Sequence, residues 1–239
     1  MMEAVDATKV YQQGQRRVDA LRGVSLRVEA GEFVSIMGPS GSGKSTLMHL
    51  LGGLDTPTSG RVLFQGQDLR AMSDRDRSLL RRNRVGFVFQ AFNLLATLNG
   101  VVNVALPLLL GGRPRREARE RALAVLERVG LGHRADHFPD EMSGGEMQRV
   151  AVARALVGEP EAVLCDEPTG NLDSASSREI LGLLRELPER GRRAVVMVTH
   201  DPTAAAYGDR IVHIRDGLIS GVRTQESGVR DQETEVSSP

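Results

Sequence analysis

Several short runs along the chain are almost wholly apolar. Phe33-Val34-Ser35-Ile36-Met37, Ala162-Val163-Leu164-Cys165 and Ala194-Val195-Val196-Met197-Val198 read as strands buried on both faces. Val85-Gly86-Phe87-Val88-Phe89 and Ile211 to Ile214 have the same character. Val24-Ser25-Leu26-Arg27-Val28 instead alternates apolar with polar, which predicts a half-buried strand ending in a turn at Ala30-Gly31. Residues 1–35 read as short strands joined by turns, and Arg61 to Phe64 as another short strand. Helical spacing sets in between these strands. Ala118, Ala122, Val125, Leu126 and Val129 predict a helix opened by Pro114 and stopped by Gly130, with Glu117 and Arg121 paired on its wet face. A second helix is predicted from Asp74 to Arg84 with Ser73 as its cap, and a third on Ile180, Leu183, Leu184 and Leu187. Asp216-Gly217 is a hairpin turn. From Gly221 onward there are too few apolar anchors to fold, so residues 221–239 are expected to be a disordered tail.

Bulk composition narrows the function classes. Hydrophobic content of 40% with 26% charged residues is ordinary for a globular domain with a real core. A net charge of zero and 3% aromatics leave neither an electrostatic footprint nor a stacking platform for nucleic acid, so no such partner is expected. Met1 to Val10 carries acidic residues and no apolar core, so it does not read as a signal peptide. The most apolar stretch, Val101 to Leu110, contains Asn103 and Pro107 and is too short to span a bilayer, so direct membrane insertion is not expected. Cys165, the single cysteine, excludes an intramolecular disulfide and fits a reducing cytoplasm.

Candidate chemistry collects where apolar runs end. Gly38-Pro39-Ser40-Gly41-Ser42-Gly43-Lys44-Ser45-Thr46 fits the phosphate-loop pattern in full and lies between a predicted strand and a predicted helix. Its glycines let backbone N–H groups face a polyphosphate, and the helix start adds positive potential. Lys44 supplies a full charge, worth ~4 kcal/mol at ~4 Å and an effective dielectric near ~20. Only Lys9 and Lys44 are lysines among 31 basic residues, so the compact ammonium at Lys44 is a selective choice. Ser45 is placed to give its hydroxyl to Mg²⁺. The strand 162–165 runs straight into Asp166-Glu167, and two adjacent carboxylates there are costly without a cation. A Mg²⁺ at Asp166 leaves Glu167 as a base or water-orienting group. Gln90 and His200 end two other strands at the edge where open α/β sheets bind ligands. Tyr11 has no local signal that separates an ordinary strand tyrosine from a functional one.

Met142-Ser143-Gly144-Gly145-Glu146-Met147-Gln148-Arg149 supplies a second glycine-opened helix start, which the same nucleotide could hardly use. With the phosphate loop, it resembles the ATP-binding cassette (ABC) ATPases over about residues 3–220. The resemblance implies an α/β fold: a P-loop NTPase (RecA-like) core of residues 1–90 and 155–220, with an antiparallel β subdomain and an inserted α-helical subdomain at 91–154. It implies that Tyr11 stacks on adenine and that Gly38 to Thr46 hold the phosphates of ATP. Gln90 would contact Mg²⁺ and the attacking water, Asp166 the metal, and Glu167 would be the catalytic carboxylate beside the switch residue His200. Ser143-Gly144-Gly145 would engage ATP on a second copy, and Asp173 would belong to the D-loop Gly170-Asn171-Leu172-Asp173. Glu146, Phe92-Asn93-Leu94-Leu95 and Asp166 to Asp173 resemble the subgroup of lipoprotein-releasing, macrolide-exporting, antimicrobial-peptide-exporting and FtsE-like systems.

The implied function is an ATPase subunit that dimerises with ATP and drives an integral membrane permease. The implied location is peripheral, on the cytoplasmic side of the cell membrane. A soluble non-transport ABC ATPase is the alternative; such proteins resemble this core but carry coiled-coil, zinc-binding or tandem-cassette additions that are missing from this sequence. The apolar residues Phe92, Leu94, Leu95, Leu98, Val101, Val102, Val104, Leu106 and Leu108 to Leu110 are expected to leave a partly exposed docking groove beside Gln90.

Overall fold

The computed structural model describes residues 1–14, 16–191 and 193–225. Two sheets organise it. The first is antiparallel, in the order β2-β1-β4-β5, from β1 (Met2–Gln13), β2 (Arg16–Val28), β4 (Ser59–Phe64) and β5 (Gln67–Asp68). Six strands make the second, in the order β10-β9-β3-β8-β7-β6. These are β3 (Phe33–Met37), β6 (Val85–Phe89), β7 (Ala162–Asp166), β8 (Ala194–Thr199), β9 (Arg210–Arg215) and β10 (Leu218–Thr224). All but β10 run parallel.

The unbroken apolar runs find their explanation in this sheet. Val163, Cys165, Val195, Met197 and Phe33 face one core, while Ala162, Leu164, Ala194, Val196, Val198, Val34 and Ile36 face another. A parallel sheet covered on both sides has no polar face to offer water. On one side lie α1 (Lys44–Leu51) and the antiparallel sheet. On the other lie α6 (Ser174–Gly191) and a helical region built from α3 (Gly100–Leu110), α4 (Arg115–Arg128) and α5 (Gly144–Leu156).

Local signals act as the chemistry requires. The Ser73 hydroxyl accepts the Asp76 N–H at 3.1 Å and starts α2 (Asp74–Asn83). Pro114 precedes α4, Gly130 leaves it with φ +74°, and Arg121 meets Glu117 at 3.3 Å. Two expectations are corrected. β1 and β2 form one long two-stranded ribbon, because register shifts at Ala4/Ala7, Ala7/Thr8 and Lys9/Val10 let a strand with broken alternation stay paired. Gly221 to Thr224 continue β10 against β9, since backbone pairing needs no apolar side chains. Residues 226–239 of the expected tail lie outside the described residues.

At Gly86 the sheet meets α5 with no room to spare: a Cβ there would lie 2.4 Å from the Ala155 carbonyl oxygen. Gly86→Ala must push β6, which ends beside Gln90, away from α5, which begins at the Ser143 motif. A loss of about 1–3 kcal/mol is expected, read as a lower denaturant midpoint.

Candidate functional site

Parallel order and matched register bring four strand ends to one edge. Met37 pairs with Thr199, Val198 with Asp166, and Asp166 with Phe89. The phosphate loop, His200, Glu167 and Gln90 follow those residues, so the polar endings read from the sequence converge.

The loop from Gly38 to Gly43 leads into α1. Gly43 has φ +104°, and a Cβ there would stand 2.5 Å from the Ala20 carbonyl oxygen, so only glycine fits between β2 and the loop. From behind, the Gly217 N–H donates to the Ser42 carbonyl at 3.0 Å. Pro39, Ser40 and Gly41 form the exposed rim, whereas Lys44 is buried and its ammonium donates to the Pro39 carbonyl at 2.9 Å. An ammonium has three donors and this one uses one of them on the loop, leaving the others for an anion. The Ser45 hydroxyl donates to Asp166 Oδ1 at 2.9 Å, joining the start of α1 to the end of β7.

Glu167 sits at φ +46°, a region that costs a non-glycine residue about 1 kcal/mol or more. Two backbone bonds hold it there: its N–H donates to Val198 at 2.9 Å, and its carbonyl accepts from Gly170 at 3.0 Å. His200 Nδ1 lies 3.2 Å from Glu167 Oε2, so an N–H at that nitrogen would orient the carboxylate. Gln90 does not stand free beside Asp166. Its Nε2 donates to Asn171 Oδ1 at 3.2 Å, and Asn171 Nδ2 donates to the Gln90 carbonyl at 3.0 Å.

Ser143, Gly144 and Gly145 are not brought to the phosphate loop. A Cβ on Gly144 would meet Leu172 at 3.5 Å, and one on Gly145 would meet Ser176 Oγ at 2.6 Å, so this helix start backs onto residues 171–176. Asp173 is likewise used at home: its carboxylate caps α6, accepting the Ala175 and Ser176 N–H groups and the Ser176 hydroxyl at 2.8–2.9 Å. Those bonds, the Ser176 N–H first, hold its carboxyl below the ordinary range. Tyr11 reaches the loop's flank, where its hydroxyl donates to Asp55 Oδ2 at 2.9 Å and faces Thr46. Burial first, then Asp55, pushes its pKa up.

Three contacts escaped the sequence reading. Gln148, wholly buried, donates from Nε2 to the Pro168 carbonyl at 2.7 Å, tying α5 to the turn that carries Glu167. Arg154 donates to the carbonyls of Phe92, at 2.8 Å, and Asn93, and so holds the segment after Gln90 to the same helix. Lys9 pairs with Asp55. Gln148 and Arg154 lie within a motif-bearing helix but have no signal of their own, while Lys9 is marked only by being one of two lysines.

A groove does lie beside β6, and of the residues expected to line it only Leu106 and Leu110 do so. Leu94 packs on the core, and Leu95 is exposed but not among the groove's lining residues. The groove's volume is about 590 Å³, and Phe87, Phe89, Leu106 and Leu110 share its lining with Arg81, Arg82 and Arg154. Of the three leucines 108–110, only Leu110 is exposed, at 69%.

The fold and the two glycine-opened helices define a nucleoside-triphosphatase cassette, and comparison with known proteins places it. Residues 21–170 match the family model described as ABC transporter, so the chain belongs to that family, as its ATP-binding, ATP-hydrolysing part. It is 51% identical over 222 residues to an uncharacterized ABC transporter ATP-binding protein of Thermotoga maritima, covering 93% of this chain and 94% of the relative. It is 50% identical to the lipoprotein-releasing system ATP-binding protein LolD of Pseudomonas fluorescens, covering 91% and 96%. The macrolide export ATP-binding/permease protein MacB of Syntrophobacter fumaroxidans is 48% identical over 99% of this chain, which spans 33% of that protein. Among solved structures, the ATP-binding cassette MJ0796, a dimer in a post-hydrolysis state bound to ADP and Pi, aligns with TM-score 0.87 at 42% identity, covering 94% of this chain and 98% of that one.

Glu146 gives the helix start a testable brace. Its carboxylate accepts the Ser143 N–H at 2.8 Å, its own N–H donates to Ser143 Oγ at 3.3 Å, and Arg134 pairs with it at 3.0 Å. The Ser143 N–H, ahead of Arg134, holds the carboxyl below its ordinary range despite some burial. A lowered folded-state value means the contribution is present above the unfolded value and fades as pH falls through the folded one. Glu146→Ala is expected to cost about 1 kcal/mol at neutral pH. The gap from wild type should narrow in melts taken below about pH 4.

Proposed function

We propose that this chain is the ATPase subunit that drives an integral membrane permease from the cytoplasmic side, through ATP-dependent pairing of two copies. The observation that carries the pairing is the position of Ser143-Gly144-Gly145. Their helix start presents N–H groups that have no helical acceptor, and its glycines pack against residues 171–176 rather than against the phosphate loop of their own chain. A nucleotide on a second copy is the ligand that such a start can serve. The dimeric MJ0796 cassette and the LolD and MacB relatives support this reading.

In the proposed reaction, the loop N–H groups and Lys44 hold the phosphates, Tyr11 the base, and Ser143 to Gly145 of the second copy the γ-phosphate side. Mg²⁺ would neutralise phosphate charge when bound. The residues fit it: a hydroxyl and a carboxylate, Ser45 and Asp166, already meet at 2.9 Å. Gln90 would join them only on leaving Asn171. Glu167 orients the attacking water and accepts its proton, and His200 holds the carboxylate in place. Closure of two copies excludes water from the site, and loss of the γ-phosphate removes what bridges them.

The permease would seat in the groove between β6 and α3. What supports this reading is a lining that mixes Phe87, Phe89, Leu106 and Leu110 with Arg81, Arg82 and Arg154. Phe89 stands directly before Gln90, whose amide bonds Asn171 in the turn after Glu167. Among the described residues no helix is long and apolar enough to cross a membrane.

Glu167→Gln keeps shape and loses charge. It is expected to lower turnover at least a hundredfold, and to accumulate a dimer on size exclusion with ATP but not with ADP. Hydrolysis at the wild-type rate, or no ATP-dependent dimer, would refute the assignment. Leu110→Glu should reduce co-purification of the membrane partner by far more than it reduces the ATPase rate. Unchanged co-purification would move the docking surface elsewhere.

A further inference from the structure

Strand β1 places Lys9 and Tyr11 two residues apart, on one face of the ribbon. Lys9 Nζ donates to Asp55 Oδ1 at 2.6 Å and to the Thr56 carbonyl at 2.8 Å, and lies 4.9 Å from the centre of the Tyr11 ring. Asp55 accepts the Tyr11 hydroxyl on its other oxygen and the Thr56 N–H at 2.7 Å. The Lys9 side chain is only 12% exposed. Asp55 itself is fixed to the end of the phosphate-loop helix, where the N–H groups of Leu54 and Asp55 donate to the His49 carbonyl at 2.9 and 3.3 Å. The ring that flanks the loop is therefore anchored, through one carboxylate, to the helix that the loop opens.

We propose that Lys9 and Asp55 are positioning residues for the nucleotide base: they lock the Tyr11 ring in one orientation, with an ammonium on one side and the other side left as the platform for adenine. The proposal rests on the reading of Tyr11 as the base-stacking residue. A tyrosine at the edge of a ribbon otherwise samples several rotamers, and binding a base would have to select one. Here the bond to Asp55 fixes the hydroxyl and with it the ring. Lys9 also explains a peculiarity of composition, since arginine serves at nearly every other basic position. A compact ammonium can sit beside the ring while donating to both a carboxylate and a carbonyl, whereas a planar guanidinium needs a wider space.

A tie that only joined β1 to the loop after α1 would affect the whole protein evenly, while a base-positioning device acts on ligands that carry a base. Affinities of the full chain for ATP and for tripolyphosphate separate the two. Lys9→Met and Asp55→Asn are each expected to weaken ATP about tenfold, equivalent to about 1.4 kcal/mol. Tripolyphosphate affinity should change less than about twofold, and KM for ATP should rise far more than kcat falls. Equal losses for both ligands, or no loss for either, would overturn the proposal. Lys9→Arg, which keeps the charge, should show the same selective loss to a smaller degree if Lys9→Met proves unstable; wild-type ATP affinity in that variant overturns the argument for a compact ammonium beside the ring. Tyr11→Ala separates this inference from the reading beneath it. Unchanged ATP affinity in Tyr11→Ala removes the base-stacking role altogether. A loss there without any loss in Lys9→Met and Asp55→Asn removes only the positioning role.

Discussion

The hydroxyl of Ser45 meets the carboxylate of Asp166 at the junction of α1 and β7. A carboxylate at the end of a strand whose other residues are wholly buried is expensive unless something donates to it. Ser45 donates, and it can do so only because the phosphate loop delivers the first turn of α1 to that point. The loop in turn is shaped by what stands behind it, the Ala20 carbonyl against Gly43 and the Gly217 N–H on Ser42. Sheet order, the ribbon and the β9–β10 turn are thus conditions for one short contact. Lys44, folded back on Pro39, braces the loop from within.

The segment from Glu167 to Asp173 depends on the same principle at one remove. Gln148 holds it from α5, Gln90 and Asn171 hold it from the end of β6, and Val198 holds it from β8. Arg154 then links α5 to residues 92 and 93, so α5, the segment after Gln90 and the turn from Glu167 share one hydrogen-bonded frame. Gln148 is informative about what that frame is for. It is fully buried, and its Oε1 has no partner among the described residues. A well-packed apolar side chain would cost less at that position. What the amide supplies is a fixed distance between the helix that opens at Ser143 and the turn that carries Glu167.

Much of this was legible in the sequence because the relevant signals are local. A doubly buried strand must read as an apolar run, and a phosphate loop needs its glycines in a set order. Those two facts located Phe33 to Met37, Ala162 to Cys165, Lys44, Asp166 and His200. Signals that depend on pairing were less visible. β1 breaks its alternation at register shifts, and β10 joins its sheet through backbone bonds that polar residues make as well as apolar ones. Contacts between distant residues left no trace at all: nothing near Asp55 says that Lys9 and Tyr11, more than forty positions away, both bind it. Asp173 and Gln90 were legible as motif members, while the bonds that occupy them within one chain were not.

The run Val101 to Leu110 divides its apolar side chains between the helical core and the surface. Val101, Val104, Ala105 and Leu108 face inward, at helical spacing, and build the helical core. Asn103 lies among them fully buried, yet every polar atom is used: it accepts from the Leu95 N–H and donates to the carbonyls of Leu95, Leu98 and Asn99. That amide moulds the loop before α3 in the way a backbone turn would, so a polar residue in an apolar helix has a structural purpose. Eleven residues of helix reach only about 16 Å, roughly half of a bilayer's hydrocarbon thickness. What remains apolar and outward is Leu110, with Leu106 and Pro107, facing Phe89 across the groove. Arg81, Arg82 and Arg154 line the same groove, so its surface combines apolar side chains with guanidinium groups beside the segment that Arg154 holds.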